Sequence, residues 1–323
     1  MQPVTITSAT LESGRVLREP PGSGPGNWVG APGLFHAMDE GAWYLTYRLR
    51  RPRGVQPDRG GEARIARSTD LKLWNDVWSV TKDKFNTASM ERCAIHQGPD
   101  GLWRYFTSFV DPADGRWCVE VLKASSVAAF DPSKAERLFT ATDYGLEGVK
   151  DPWVFEKDGV FHMFLSVALP TQKTDAESHS TLDIFNTGEC VSATALATSR
   201  DLEKWDWQGV VFKPDGRGWD CYCRRLNTVF PLATKLFGFY DGSASEKENY
   251  EEKCALATSS DLRDWRSLSV AGSFVKSPFA SGSARYFAVE VVGGQAHIFY
   301  EFAREDGAHD MRLLTVPATE LAF

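Results

Sequence analysis

The chain has 323 residues, with 36 Lys and Arg against 43 Asp and Glu, so its net charge is −7. Its hydrophobic content of 42% and charged content of 24% are typical of a soluble globular protein and argue against disorder. The acidic balance disfavours a nucleic-acid partner. The longest uncharged run, residues 20–38, is rich in Pro and Gly, so we expect a loop there and no membrane association.

The beginning of the chain has no basic segment followed by an apolar core, so we expect no signal peptide and a cytoplasmic protein. Six cysteines are few for this length, and in that compartment they predict reduced thiols. Neither the six histidines nor the pair Cys221 and Cys223 have the spacing of a metal site. We therefore expect no metal and no cofactor.

Five aromatic-rich hairpins follow one another along the chain, each a strand, a polar or glycine turn and an aromatic strand. Asp-Gly and Gly-Gly between apolar runs are strong hairpin signals. The turn of the fourth hairpin is placed near Ala233. The hairpins span Trp28–Arg48, Arg92–Phe109, Asp151–Val167, Arg225–Tyr240 and Arg285–Tyr300. The starting points, near 28, 91, 151, 225 and 285, define a repeat of about 60 residues.

A second repeat, A-x-S-x-D-L-x-x-W, occurs at 66–74, 197–205 and 257–265, with a degenerate copy at 123–126. We expect its Asp to hold a tight turn by accepting backbone N–H bonds. We expect its Trp to pack between neighbouring sheets. Both roles are structural.

Repeated hairpins of this kind predict an all-β fold, a five-bladed β-propeller with a four-stranded antiparallel sheet per blade. We expect one domain over 1–323, with 1–27 as an N-terminal lead-in. Residues 4–10 are the candidate outer strand of the last blade. The polar insertion at 172–186 is a candidate rim loop or lid.

The segment 150–166, KDPWVFEKDGVFHMFLS, is similar to the D-P-x-[VI]-x…D-G-x-[YF]-[YH]-x-x-[YF]-S segment of a group of glycoside hydrolases. Together with the two repeats, it makes nearly the whole chain resemble the five-bladed propeller glycoside hydrolases of families 43, 32, 62, 68, 117 and 130. The pattern assigns no individual family. The resemblance implies acidic residues that converge on a central funnel, where one carboxyl protonates the leaving oxygen and another activates water.

The resemblance also implies which acids to examine, since the inner strand of each blade starts at the funnel. Asp151 matches the Asp-Pro position of the third blade, and Glu91 is assigned to the corresponding place in the second. In the first blade Ala31 stands where family 43 and 32 enzymes carry an Asp base. The further candidate catalytic acids are Glu290, Glu301 and Asp241.

Cations form a second pattern. Alternation along 43–48 places Tyr47 and Arg48 on opposite faces of a strand. Arg48, Arg225 and Arg285 are the candidate substrate-binding cations, suited to an anionic substrate or to neutralising the funnel acids. Tyr47 and Trp28 are candidates for stacking on a sugar ring.

These patterns predict a glycoside hydrolase acting on a small carbohydrate substrate, a glycoside or an oligosaccharide. Two alternatives stay open. One is a carbohydrate-binding propeller that has lost catalysis, which the absence of the first-blade Asp allows. The other is a phosphorylase or lyase acting on glycosides. The oligomeric state is also open.

Overall fold

The computed structural model describes residues 4–175, 177–232 and 234–322, and the predicted turn residue Ala233 lies outside them. Its one α-helix in these ranges is α1, Ser8–Glu12. The 3-10 helices are Met38–Glu40, Lys82–Phe85, Val127–Ala129, Pro132–Lys134, Thr142–Tyr144, Ile184–Asn186 and Ala318–Glu320. Nearly all the remaining regular structure is β-sheet.

Antiparallel pairing groups the strands into five sheets, which we number as blades 1 to 5. At the N-terminus are β1, Val4–Thr5, and β2, Arg15–Arg18. Blade 1 has β3 Trp28–Ala37, β4 Ala42–Arg51, β5 Arg59–Ser68 and β6 Asn75–Thr81. Blade 2 has β7 Ala94–Gln97, β8 Trp103–Val110, β9 Trp117–Ala124 and β10 Glu136–Phe139. Blade 3 has β11 Gly148–Lys157, β12 Val160–Pro170, β13 Cys190–Ser199 and β14 Asp206–Phe212.

The last two blades follow the same order. Blade 4 has β15 Cys223–Leu232, β16 Lys235–Ser243, β17 Lys253–Ser259 and the short β18, Arg266–Ser267. Blade 5 has β19 Ala284–Val292, β20 Gln295–Ala303 and β21 His309–Pro317, and the chain continues to β22, Leu321–Ala322. The fourth strand of blade 5 is β2, which pairs antiparallel with β21.

The five sheets close into a ring, because the innermost strands β3, β7, β11, β15 and β19 contact one another in that order and β19 returns to β3. The predicted all-β propeller is confirmed. Both ends of the chain take part in the closure, since β2 completes blade 5 and β1 pairs with β22.

The closing strand is not residues 4–10, as the sequence suggested, but Arg15–Arg18. The earlier segment contains α1, which begins after Thr7. The Thr7 side chain accepts a hydrogen bond from the backbone of Thr10 and caps the helix, and Leu11 is fully buried against the propeller. This segment therefore folds as a cap and a helix rather than as a blade strand.

The A-x-S-x-D-L-x-x-W repeat has the predicted structural role. Asp70, Asp201 and Asp261 each accept two backbone N–H bonds at 2.8–2.9 Å from the residues two and three positions later. The Trp side chains pack edge-on against the preceding blade, as in the contact of Trp74 with Phe299, where the ring centroids are 5.8 Å apart. No helix of the described ranges is long and apolar enough to cross a membrane.

Candidate active site at the propeller axis

Hairpin register brings charged residues to one end of the axis. In four blades, the residue at the start of the inner strand lies opposite a residue near the end of the second strand. These pairs are Gly30 with Arg48, Lys150 with Ser166, Arg225 with Asp241 and Arg285 with Glu301. In blade 2 the backbone N–H of Glu91 donates to the carbonyl of Ser108. Residues from distant parts of the sequence therefore meet around one axis.

A bulge follows these positions and identifies the equivalent residues. Ala31, Asp151 and Tyr286 have φ of 52°, 54° and 54°, an uncommon region for residues other than glycine, and the register shifts at each. Ala31 therefore occupies the position of Asp151, as the sequence predicted. In blade 2 the bulge residue is Arg92, so Glu91 lies one position earlier than Asp151 rather than at the corresponding place.

These residues surround a narrow axial cavity with a volume of about 10 Å³, which is room for about one water molecule. Two of the lining residues are carboxylates, Glu91 and Glu252. The aromatic lining residues are Trp28, Tyr250 and Tyr286. The cationic lining residues are Arg48, Arg50, Lys150, Arg225 and Arg285.

Glu91 is the candidate acid that faces this cavity. Its Oε2 accepts a hydrogen bond from Nε of Arg48 at 2.6 Å and lies 3.5 Å from the Tyr286 hydroxyl. Burial alone would raise the pKa of Glu91, but the charges of Arg48, Lys150 and Arg50 outweigh burial and lower it to about 2. Glu91 is therefore ionised at neutral pH.

Arg285 is held by two carboxylates. Its Nε and Nη2 donate to Oε1 of Glu301 at 2.9 and 2.7 Å, and its Nη1 donates to Oε2 of Glu252 at 2.7 Å and to the carbonyl of Tyr250. Glu301 also contacts Nδ1 of His309 at 2.7 Å. Burial favours a raised pKa for Glu301, but Arg285 and His309 hold it well below its usual range.

Asp151 and Asp241 lie behind the cavity wall. Oδ1 of Asp151 accepts from the backbone N–H of Arg92 at 3.2 Å, while its Oδ2 lies 3.4 Å from Nζ of Lys150 and has no hydrogen-bond partner among the described residues. Asp241 accepts from the backbone N–H of Tyr286 at 3.2 Å. Burial raises the pKa of Asp241 to about 6, although Arg225 opposes the shift.

Arg92 lies on the propeller axis and links the blades. Its guanidinium donates to the carbonyls of Pro32 in blade 1, Asn227 in blade 4 and Phe287 in blade 5. It also lies 4.9 Å from the ring centroid of Trp153 in blade 3. One buried side chain from blade 2 thus contacts the other four blades.

The insertion after β12, described at 171–175 and 177–189, lies across the mouth of the cavity, and we call it the lid segment. Its Phe185 is fully buried, with its ring centroid 4.8 Å from Nζ of Lys150. Its Asp183 accepts a hydrogen bond from the Tyr250 hydroxyl at 2.8 Å, and the carbonyl of Phe185 accepts one from Asn249 at 2.9 Å. This position agrees with the rim loop or lid expected from the sequence.

Eight of the ten candidate site residues gather at this end of the axis. They are Glu91, Asp151, Asp241, Glu301, Arg48, Arg225, Arg285 and Trp28.

Two candidates lie elsewhere. Tyr47 is on the opposite face of β4 from Arg48, and its hydroxyl donates to Asp76 at 2.7 Å. Glu290 pairs with His297 near the other end of β19, five residues beyond Arg285 and thus about 16 Å along the strand.

Other lining residues were not singled out from the sequence. Glu252 and Tyr250 come from the segment before β17. Arg50 lies two positions after the candidate Arg48, and Lys150 directly precedes the candidate Asp151. Arg50 follows Arg48 with the period of two that keeps side chains on one face, so alternation could have identified it. No spacing in the sequence marks Glu252.

Solved structures share this fold. A thermostable family-43 glycoside hydrolase has a TM-score of 0.65 and 12% identity, covering 93% of this chain and 92% of that chain. The GH43_1 enzyme from Xanthomonas citri complexed with xylotriose has a TM-score of 0.61 and 12% identity, covering 95% and 92%. An endo-arabinase from Bacteroides thetaiotaomicron has a TM-score of 0.58 and 14% identity, covering 89% and 93%. No family model and no curated relative matches the sequence.

At these identities the likeness is one of fold, and it confirms the predicted resemblance to the propeller architecture of glycoside hydrolases.

Proposed function

We propose that the protein is a glycoside hydrolase that acts on a small glycoside or oligosaccharide bound in the axial cavity. The observation that carries the proposal is Glu91, an ionised carboxylate facing a cavity with aromatic walls at Trp28 and Tyr286. The fold is one that glycoside hydrolases use. Arginines lie over the rings of Trp28 and Tyr286, and the Glu91 carboxylate suits the activation of water.

The pKa values suggest different catalytic roles for the carboxyl groups of the site. Glu91 has a lowered pKa, so we assign it as the base or nucleophile. The pKa of Asp241 is raised to about 6, so part of the population is protonated near neutral pH. We assign Asp241, which lies behind Tyr286, as the group that supplies a proton to the site. Asp151, whose Oδ2 lies 3.4 Å from Nζ of Lys150 and has no hydrogen-bond partner among the described residues, is assigned to the positioning of Lys150.

Sugar binding without hydrolysis is the second candidate. Ala31 leaves the first blade without a carboxylate at the bulge, and both carboxylates that line the cavity are ion-paired with arginine. Such pairing stabilises the ionised form and reduces the reactivity of a carboxylate. A propeller that retains the cavity but has lost turnover would have these features.

The test is a panel of aryl glycosides in both anomeric forms, assayed with and without inorganic phosphate. We expect phosphate-independent release of the aryl group by the wild type and at least a 100-fold loss of kcat/KM in Glu91→Gln. Glu290→Gln is the matched control, because it makes the same chemical change at the other end of β19.

Each other outcome has a distinct meaning. Unchanged turnover in folded Glu91→Gln would exclude Glu91 from catalysis. Turnover that requires phosphate would identify a phosphorylase. Sugar binding in the absence of any turnover would support the second candidate.

A further inference from the structure

The axial cavity has an excess of positive charge. Five cationic side chains line it against two carboxylates, Glu91 and Glu252. Asp151, Asp241 and Glu301 lie behind the wall and contact cations from that side. The five cations are thus matched by five carboxylates in all, but cations outnumber carboxylates on the surface that a ligand would meet.

The cations differ in the donors they leave free. Arg285 is nearly saturated, because it makes four hydrogen bonds to Glu301, Glu252 and the carbonyl of Tyr250. Arg48 is 1% exposed and uses Nε for Glu91, and its Nη1 has no hydrogen-bond partner among the described residues.

Two more cations each have one carboxylate within 4 Å among the described residues. Arg225 has one ion-pair partner in the described ranges, Glu252. Nζ of Lys150 lies 3.4 Å from Asp151 and 4.8 and 5.0 Å from the ring centroids of Phe185 and Trp117.

The unsatisfied atoms of the lining itself are donors, whereas two acceptors behind the wall, Oδ2 of Asp151 and Oε2 of Glu301, also lack a hydrogen-bond partner among the described residues. Among the described residues, the buried polar atoms of the cavity lining that lack a hydrogen-bond partner are Nε1 of Trp28, Nη1 of Arg48 and Nε of Arg50. All three are N–H donors, and a buried donor left unpaired is costly. A ligand that brings acceptor oxygens and negative charge would satisfy these donors and pair with the cations of the lining.

We propose that the ligand of this cavity is a sugar carrying an oxyanion, a uronic acid carboxylate or a sulfate ester, bound by Arg48, Lys150 and Arg225. The inference rests on the proposed function for the site and specifies its substrate class. A carboxylate or sulfate accepts several charge-assisted hydrogen bonds at once, which suits guanidinium and ammonium donors from three blades. The cavity in this structure has room for about one water molecule, so the proposal requires the lid segment to move aside when the sugar ring binds.

Binding to the wild type is the first experiment, because it needs no variant and no turnover. Calorimetry compares D-glucuronate with D-glucose, D-galacturonate with D-galactose, and glucose 6-sulfate with glucose. We expect at least one anionic sugar to bind roughly 10- to 100-fold more tightly than its neutral partner, with an advantage that shrinks as salt is raised. The sulfate arm distinguishes the two sources of the oxyanion. Equal or weaker binding of every anionic sugar would overturn the proposal.

Variants then locate the contact. Lys150→Met should reduce affinity for the preferred anionic sugar roughly 10- to 100-fold and leave the weak affinity for the neutral partner unchanged. Arg217→Gln is the control, since Arg217 is an exposed cation outside the cavity. A melting curve checks that each variant is folded. Anionic preference that persists undiminished in folded Lys150→Met would remove this residue from the contact and contradict the assignment.

Turnover separates this inference from the proposed function. Aryl xylosides, glucosides and glucuronides carry hydrogen, hydroxymethyl or carboxylate at C5, so the glucoside and the glucuronide differ in charge at nearly the same size. Hydrolysis of neutral glycosides with no preference for anionic ones would sustain the glycosidase and overturn the inference. Tight binding of an anionic sugar without hydrolysis would sustain the inference and overturn the glycosidase.

Discussion

At the scale of single residues, two buried carboxyl groups of the site have opposite pKa shifts. Glu91 is 6% exposed and Asp241 is fully buried, so burial favours the neutral form of both. Glu91 faces Arg48, Lys150 and Arg50, and its pKa falls. For Asp241, burial outweighs Arg225 and Arg285, and its pKa rises to about 6. The balance between burial and cations, rather than residue type, decides which carboxyl holds a proton.

The raised pKa of Asp241 predicts a pH effect on stability. A folded-state pKa above the unfolded value of 3.8 favours folding below that value, and this contribution is lost as pH rises through about 6. Asp241→Asn removes the ionisation and keeps an acceptor for the N–H of Tyr286. The variant should therefore gain stability relative to the wild type between pH 4 and 7, by up to about 3 kcal/mol.

Thermal melts of both proteins from pH 4 to 8 measure this difference. Asp310→Asn provides a comparison, because burial also raises the pKa of Asp310 but Arg312 holds it with two hydrogen bonds. A difference between Asp241→Asn and the wild type that stays constant with pH would contradict the predicted ionisation.

At the scale of elements, hairpins and turns were predictable because their signals are local. Alternation along β4 placed Tyr47 and Arg48 on opposite faces, and the structure has them so, with Tyr47 bonded to Asp76. The prediction that Tyr47 belongs to the site was inconsistent with that alternation. Glu290 lies outside the site for another reason. The nine residues of β19 extend from one end of the axis to the other, and Glu290 lies near the far end.

Some site residues depend on long-range geometry that the sequence does not encode locally. Glu252 precedes β17. It is held at the cavity by ion pairs with Arg225 and Arg285, which come from two adjacent blades. No repeat marks its position. The lid segment was recognisable as an insertion, but its path over the cavity depends on contacts with Tyr250 and Asn249 of blade 4.

Asp183 is the main polar anchor of the lid segment. It accepts from the hydroxyl of Tyr250 and from Nδ2 of Asn186, and it lies 3.9 Å from Arg59. Asp183→Ala removes these partners, so the lid should open more often, and amide exchange in 178–187 should accelerate about 10-fold or more. Hydrogen–deuterium exchange measures this change.

The exposed Lys173 in the same segment provides the control variant, Lys173→Ala. Equal exchange rates in Asp183→Ala and in this control would show that other contacts hold the lid, such as the buried Phe185 ring and the hydrogen bonds to its carbonyl.

At the scale of the whole molecule, a closed ring has no first or last sheet, so its stability depends on each junction. Parallel contacts join neighbouring blades at single residue pairs, such as His309 with Trp28 between blades 5 and 1. Packing between sheets supplies most of the cohesion, through large apolar clusters that cross blade boundaries. Arg92 differs from these junctions, because it contacts all the other blades at once.

Replacing Arg92 should therefore affect the ring as a unit. Arg92→Met leaves three buried carbonyls without a donor and removes a cation close to Asp151 and Asp241, which predicts a loss of about 3–5 kcal/mol. Arg92→Lys keeps the charge but lacks the planar fork, and we expect about 1–3 kcal/mol. Urea denaturation measures both losses.

Arg104→Met provides the matched control, since Arg104 is equally buried but pairs at the rim with the exposed Asp100 and Glu203. We expect it to lose about 1 kcal/mol, because ion pairs with exposed carboxylates contribute little. Amide exchange should separate the two arginines further. In Arg92→Met, protection should fall in the inner strands of all five blades, whereas in Arg104→Met it should fall only in blades 2 and 3. If Arg92→Met lost no more stability than Arg104→Met, the axial contacts of Arg92 would not hold the ring, and packing between sheets alone would account for its closure.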